Sequence, residues 1–130
     1  MSEARPTADS LYARAGGMAF FEALVARFYD RVEGDPAIRP LYPEADLAGA
    51  RHRLTLFLAQ YWGGPTTYDQ ERGHPRLRMR HAPFAIGPAE RDRWLVHMRA
   101  AVAASDATPD VAADLERYFA RAAEAMRNRE

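Results

Sequence analysis

Gln60-Tyr61-Trp62-Gly63-Gly64-Pro65, then a polar stretch, then His74-Pro75-Arg76-Leu77-Arg78-Met79-Arg80-His81-Ala82-Pro83-Phe84, is the part of the chain around which the rest is organised. Pro75 can open a short basic helical segment as its first residue and Pro83 stops it, so His81 falls on a helix end. Gly63-Gly64-Pro65 ends the helix that comes before. The residues between Gly63 and Gly73 read as a long polar loop, which frees the basic segment and lets it stand across a gap that a flat group can fill. His81 is the candidate ligand there. A neutral imidazole gives one ring nitrogen to a metal while its other N–H bonds an acceptor that fixes tautomer and orientation. The ordinary alternative is a helix-end histidine placed by the helix dipole.

Outward from this stretch the spacing is helical throughout, and no segment alternates with period two. Ser10 can cap a short first helix that Gly16-Gly17 ends, after a polar tail over residues 1–9 that is expected to fray. From Met18 to Glu33, apolar residues at 20, 21, 24, 25, 28, 29 and 32 make one stripe, with Tyr29 on it. Asp35-Pro36 allows a turn or so before Pro40 and Pro43 bend the chain and hold Tyr42 in a corner. Asp46 caps a helix through Trp62 with Leu47, Ala50, Leu54, Phe57, Leu58 and Tyr61 at three- and four-residue steps. Gly87-Pro88 opens a helix to about Ser105 whose inner face carries Arg91 or Trp94, then Leu95, Met98, Ala101 and Val102. Thr108-Pro109 opens the last one, with Val111, Leu115, Tyr118, Phe119, Ala122 and Met126 inward and fraying over Arg127 to Glu130. The expectation is an all-α single domain over residues 10–130 with two long helix pairs, 18–33 with 47–62 and 88–105 with 109–127.

The 130 residues are 48% apolar, enough for one sizeable core. Lys+Arg and Asp+Glu balance at 18 each and every such cation is arginine, so no polyanionic partner is implied. The absence of cysteine removes disulfides, thiolate ligands and thioether attachment of a cofactor. The N-terminal residues carry no apolar signal core and no run approaches the ~18 apolar residues of a membrane span, which points to a cytoplasmic protein with no membrane partner.

In order and spacing, the chain closely resembles the truncated haemoglobins, and among them group II. The resemblance runs from about Leu11 to the last helix. It rests on Gly16-Gly17 followed by Phe20-Phe21 and Phe28-Tyr29, on Leu41-Tyr42-Pro43, on Tyr61-Trp62-Gly63-Gly64-Pro65, on His74 through Arg78, on Arg80-His81-Ala82-Pro83-Phe84, and on Trp94. It implies a two-over-two helical sandwich around b-type haem (iron protoporphyrin IX), held without covalent attachment and with His81 as the axial ligand.

The resemblance also implies a ligand side. Tyr29, Tyr42 and Trp94 match positions that donate hydrogen bonds to bound O2 there, although for any buried aromatic core packing is the ordinary role. Ala50 matches a position that often carries a gating residue and leaves a wide approach, while Leu54, Phe57, Leu58 and Met98 wall the cofactor. Arg72, Arg76, Arg78 and Arg80 form a run without acids, which is either a solvated face or a partner for the haem carboxylates through guanidinium pairing. Arg80 is the foremost candidate for that pairing, followed by Arg53 and Tyr68. The partners implied are O2 and other small diatomic ligands. Peroxidase or nitric oxide dioxygenase-like turnover would need a separate reductase, since no flavin or nicotinamide motif is present. Tyr12 and Tyr118 are candidates for a dimer surface, with monomer and homo-oligomer both open.

Other features take plain roles. His52 and His97 are expected on the surface, and His74, before Pro75, is forced out of helical conformation and is placed either to cap the basic segment or to touch a haem carboxylate. Glu71-x-x-His74 has the spacing of a di-iron motif but lacks a second copy and is broken by Gly73 and Pro75. Four arginines around a short helix make no nucleic-acid recognition face. The glycine pairs are turn makers, since no Gly-Lys-Ser/Thr follows them.

Overall fold

The structure, a computed structural model, describes residues 10–130; the frayed tail expected over residues 1–9 lies outside them. The described residues form helices α1 (Leu11–Ala15), α2 (Met18–Glu33), α3 (Ala48–Tyr61), α4 (Thr67–Arg72), α5 (Leu77–His81), α6 (Pro88–Ala103) and α7 (Pro109–Met126), with a 3-10 turn at Arg39–Leu41 and no strand among them. The two expected pairs form. α2 packs on α3, α6 packs on α7, and α2 also packs on α6 to join the pairs.

Local chemistry explains most boundaries. The Ser10 hydroxyl accepts the Ala13 N–H (3.1 Å) at the start of α1. Gly16 and Gly17 have φ of 121° and 74°, a backbone that side-chain-bearing residues rarely adopt, so the chain can stop α1 and start α2 without an intervening loop. Asp46 accepts the Ala48 N–H (2.6 Å) and so starts α3 one residue later than expected. Glu90 accepts the Gly87 N–H (2.8 Å) and Pro88 pre-sets the first turn of α6. The α2 stripe is the centre of the core: Phe21, Leu24, Phe28 and Val32 are wholly buried, and each such side chain stabilises the fold by roughly 1.5–3 kcal/mol.

The structure corrects the sequence expectations in several places. The polar loop after Gly63 contains α4, which buries Tyr68 against Phe57 with ring centroids 5.6 Å apart. Pro75 does not open α5: Arg76 takes a left-handed conformation (φ 45°, ψ 52°) and the helix begins at Leu77. His74 does help hold that start, its Nδ1 accepting the Arg76 N–H at 3.2 Å. His97 is buried rather than exposed, bonded through Nε2 to Asp35 (2.5 Å), whereas His52 is exposed as expected. Tyr118 is buried against Tyr61 and Trp62, and Tyr12, half-buried, stacks on Phe21. The residues after α7 are tied down, with the Asn128 and Arg129 N–H groups both donating to the Ile86 carbonyl (2.8 and 3.0 Å).

Candidate functional site

A cavity of about 500 Å³ lies between the helix pairs, within the size range of small-molecule sites. α2 contributes Tyr29, the corner after it Leu41 and Tyr42, and α3 contributes Ala50, Leu54, Phe57 and Leu58. From the other elements come Tyr68, His81, Trp94, Phe119 and Met126, among others. Of the residues expected on its wall, Met98 is not there: it is wholly buried in the core, inward of Trp94 on α6.

His81 is the last residue of α5 and is half-buried. Its Nδ1 lies 2.7 Å from the Leu77 carbonyl oxygen. A carbonyl only accepts, so Nδ1 is the donor in this contact; in the neutral imidazole Nε2 then keeps its lone pair, the form a metal ligand needs. Among the described residues no group of three or more His, Cys, Asp or Glu is arranged to hold an ion.

Tyr29, Tyr42 and Trp94 come together on one part of the wall. Tyr29 and Tyr42 meet edge to face at 5.6 Å, and Trp94 is fixed by Phe28 (5.1 Å) and Phe119 (5.8 Å). Burial pushes the Tyr42 hydroxyl up to about 12, with hydrogen bonds from the Trp94 indole N–H and the Tyr29 hydroxyl pulling the other way. Burial likewise raises Tyr29, with the neighbouring Tyr42 adding to it. Both phenols are therefore neutral at ordinary pH.

Arg39 is a residue that sequence reasoning missed. Its guanidinium donates to the carbonyls of Tyr42 (3.0 Å), Glu44 (2.9 Å) and Ala45 (3.1 Å), pinning the corner that carries Tyr42. Asp35 anchors the same connection from its other end: it accepts from Ala37 N (2.9 Å) and Arg93 Nε (3.0 Å) and receives the Nε2 proton of His97, whose Nδ1 accepts from Arg31 (3.1 Å). Those bonds, His97 first, hold the Asp35 carboxyl down at about 2. No periodic signal announces these residues, since the partners lie 58 and 62 positions apart.

Of the cationic residues named from the sequence, Arg53, Arg72 and Arg80 line the cavity and Arg76 and Arg78 do not. Arg80 lines the cavity, yet its Nε donates to the Pro75 carbonyl (2.7 Å) and a terminal nitrogen to the Arg72 carbonyl (3.3 Å). Arg53 pairs with Glu44 at 2.5 Å, and Arg72 and Arg91 also reach the wall. The cavity thus has an apolar body, a histidine on one short helix, a cluster of aromatic donors, and several guanidinium groups.

Residues 10–128 match the family model for bacterial-like globins. Over 86 residues the chain is 42% identical to the group 2 truncated hemoglobin YjbI of Bacillus subtilis, covering 66% of this chain and 64% of that one. It is 36% identical over 106 residues to group 2 truncated hemoglobin 3-1 of Lotus japonicus, covering 79% and 63%. The match thus spans a little under two thirds of the length of these curated relatives. Among solved structures, the haemoglobin of Thermobifida fusca superposes with a TM-score of 0.90 at 54% identity, covering 92% of this chain and 97% of that one. The group II 2-on-2 hemoglobin of Agrobacterium tumefaciens does so with a TM-score of 0.88 at 36% identity, covering 93% and 95%.

Proposed function

Because the chain belongs to the bacterial-like globin family, and within it to the group II truncated haemoglobins, we propose that this haem-binding globin holds b-type haem through His81. We propose further that it binds O2 and other small diatomic ligands beside Tyr42, Trp94 and Tyr29. Residues 10–130 act as one globin domain, working in the cytoplasm. The observation that carries the proposal is the placing of His81: a cavity-lining imidazole whose Nδ1 lies 2.7 Å from the Leu77 carbonyl oxygen, which leaves Nε2 uncommitted.

The residues fit the group. The wall from Leu54, Phe57 and Leu58 is apolar, as a porphyrin face requires, and Arg80, Arg53 and Tyr68 are the candidates for its carboxylates, joined by Arg72. When bound, ferrous haem supplies a coordination position at which a diatomic gas binds reversibly. The protein supplies the rest. The Leu77 carbonyl orients the imidazole. Tyr42 offers its hydroxyl proton to the polar end of the ligand, while Tyr29 and Trp94 hold the Tyr42 oxygen in place. Ala50 adds no bulk to its stretch of wall, leaving an approach open. Polar donors in a dry pocket slow ligand release, because charge that develops on the ligand finds preorganised partners.

The test is a titration of the haem-free protein with haem, followed by absorption spectra of ferric, dithionite-reduced and gas-exposed forms and by the O2 release rate. A stoichiometric complex with a stable oxygenated spectrum and slow release supports the proposal. Peroxide-driven oxidation of a dye well above the rate of free haem would assign turnover, and a separate reductase would then be needed. A colourless product after haem addition would refute haem binding itself.

A further inference from the structure

We propose that Asn128, near the end of the chain, is a positioning residue for His81, a role that rests on His81 being the axial ligand. The side chain amide of Asn128 divides itself among three groups of the segment that follows α5. Its Nδ2 donates to the carbonyl of Phe84 (2.8 Å) and to that of His81 itself (3.3 Å), and its Oδ1 accepts the Ile86 N–H (2.9 Å). The Asn128 backbone N–H adds a bond to the Ile86 carbonyl at 2.8 Å.

The geometry matters because α5 cannot hold itself. A five-residue helix is far below the length at which a helix is stable alone, so the place of His81 is set by whatever grips its two ends. On the N-terminal side Arg80 Nε grips the Pro75 carbonyl. On the C-terminal side the His81 carbonyl is shared between the Phe84 N–H (3.0 Å) and Asn128. Phe84 and Ile86 both line the cavity, so the segment that Asn128 holds is also cavity wall. Only an amide has both donors and an acceptor on one short stem. Aspartate keeps the acceptor for Ile86 but faces the two carbonyls with a second acceptor, and alanine keeps neither.

The experiment compares wild type, Asn128→Ala, Asn128→Asp, Arg127→Ala and His81→Gly as haem-loaded full chains. The first readout is the iron–imidazole stretching band in resonance Raman spectra of the ferrous protein, and the second is the rate of haem transfer to a scavenging apoprotein. Amide exchange at Ile86 is followed in the haem-free chains. Asn128→Ala and Asn128→Asp should broaden or shift the band and speed haem transfer by roughly 2- to 10-fold, the range set by loss of one or two hydrogen bonds. Ile86 exchange should quicken in Asn128→Ala, and Arg127→Ala should change nothing. If Asn128→Ala fails to fold, Asn128→Asp decides alone. A wild-type band and transfer rate in the Asn128 variants, with the band lost in His81→Gly, overturns the positioning role and leaves the ligand assignment intact. A band that persists in His81→Gly overturns the assignment and the role together.

Discussion

Gly64→Ala is expected to be among the most damaging single-methyl changes in the molecule. A Cβ at position 64 would stand 2.6 Å from both Cδ1 and Cε1 of Tyr12 and 2.8 Å from the Ala59 carbonyl oxygen, all inside the distance that real Cβ atoms keep. Neither neighbour can retreat cheaply. The Tyr12 ring is stacked on Phe21 (5.9 Å, 5°), its backbone N–H donates to the Trp62 carbonyl (3.0 Å), and the Ala59 carbonyl accepts the Gly64 N–H at 2.7 Å. Overpacking of this kind costs about 1–3 kcal/mol. For a chain of this size each kcal/mol lowers the melting temperature by roughly 3–6 °C, so a fall of about 3–18 °C is expected. Far-UV circular dichroism on the haem-free protein measures it. Gly49→Ala is the control: its Cβ would meet only the far end of the long Arg53 side chain, at 3.0 Å, and no backbone atom, so the melting temperature should not fall. Equal melting temperatures for Gly64→Ala and wild type would refute the argument that this glycine is required by close approach of α1 to the end of α3.

Tyr42→Phe should speed O2 release roughly 2- to 10-fold in stopped-flow displacement, the worth of one hydrogen bond. Tyr29→Phe should do less, since its hydroxyl is directed at Tyr42, and the double variant should fall short of the sum because the two share one contact. Above pH 10 the raised Tyr29, Tyr42 and Tyr118 hydroxyls favour the folded state less and less, because the unfolded chain ionises first. Stability in denaturant melts should therefore drop as pH rises from about 10 through about 12, and less steeply in Tyr42→Phe. The depressed Asp35 carboxyl works in the opposite window: its contribution is present above about pH 4 and lost as pH falls toward about 2. Asp35→Asn should be less stable at neutral pH and show a shallower acid decline, and an unchanged decline would count against the Asp35–His97 clamp.

The long helices were legible because each carries its own evidence: α2 and α7 show unbroken apolar stripes, and Pro88 and Pro109 mark where α6 and α7 begin. α4 left no such mark, since Tyr68 is its one buried residue and the rest is polar. The start of α5 was misplaced because a left-handed arginine, Arg76, has no sequence signature of the kind glycine gives. His81, Tyr29, Tyr42 and Trp94 could be named because they lie within the stretches on which the resemblance to truncated haemoglobins rests. Arg39, the Asp35–His97 pair and Asn128 could not. They act by polar bonds to groups whose spatial neighbourhood only the folded chain creates, and the expectation of fraying after Arg127 hid the last of them.

The central claim is tested most directly by ferrous absorption spectra of His81→Gly beside wild type, with haem supplied to both and imidazole then added to the variant. Wild type should show a five-coordinate histidine-ligated spectrum, His81→Gly should lose it, and added imidazole should restore it. A spectrum unchanged by the substitution would contradict the claim.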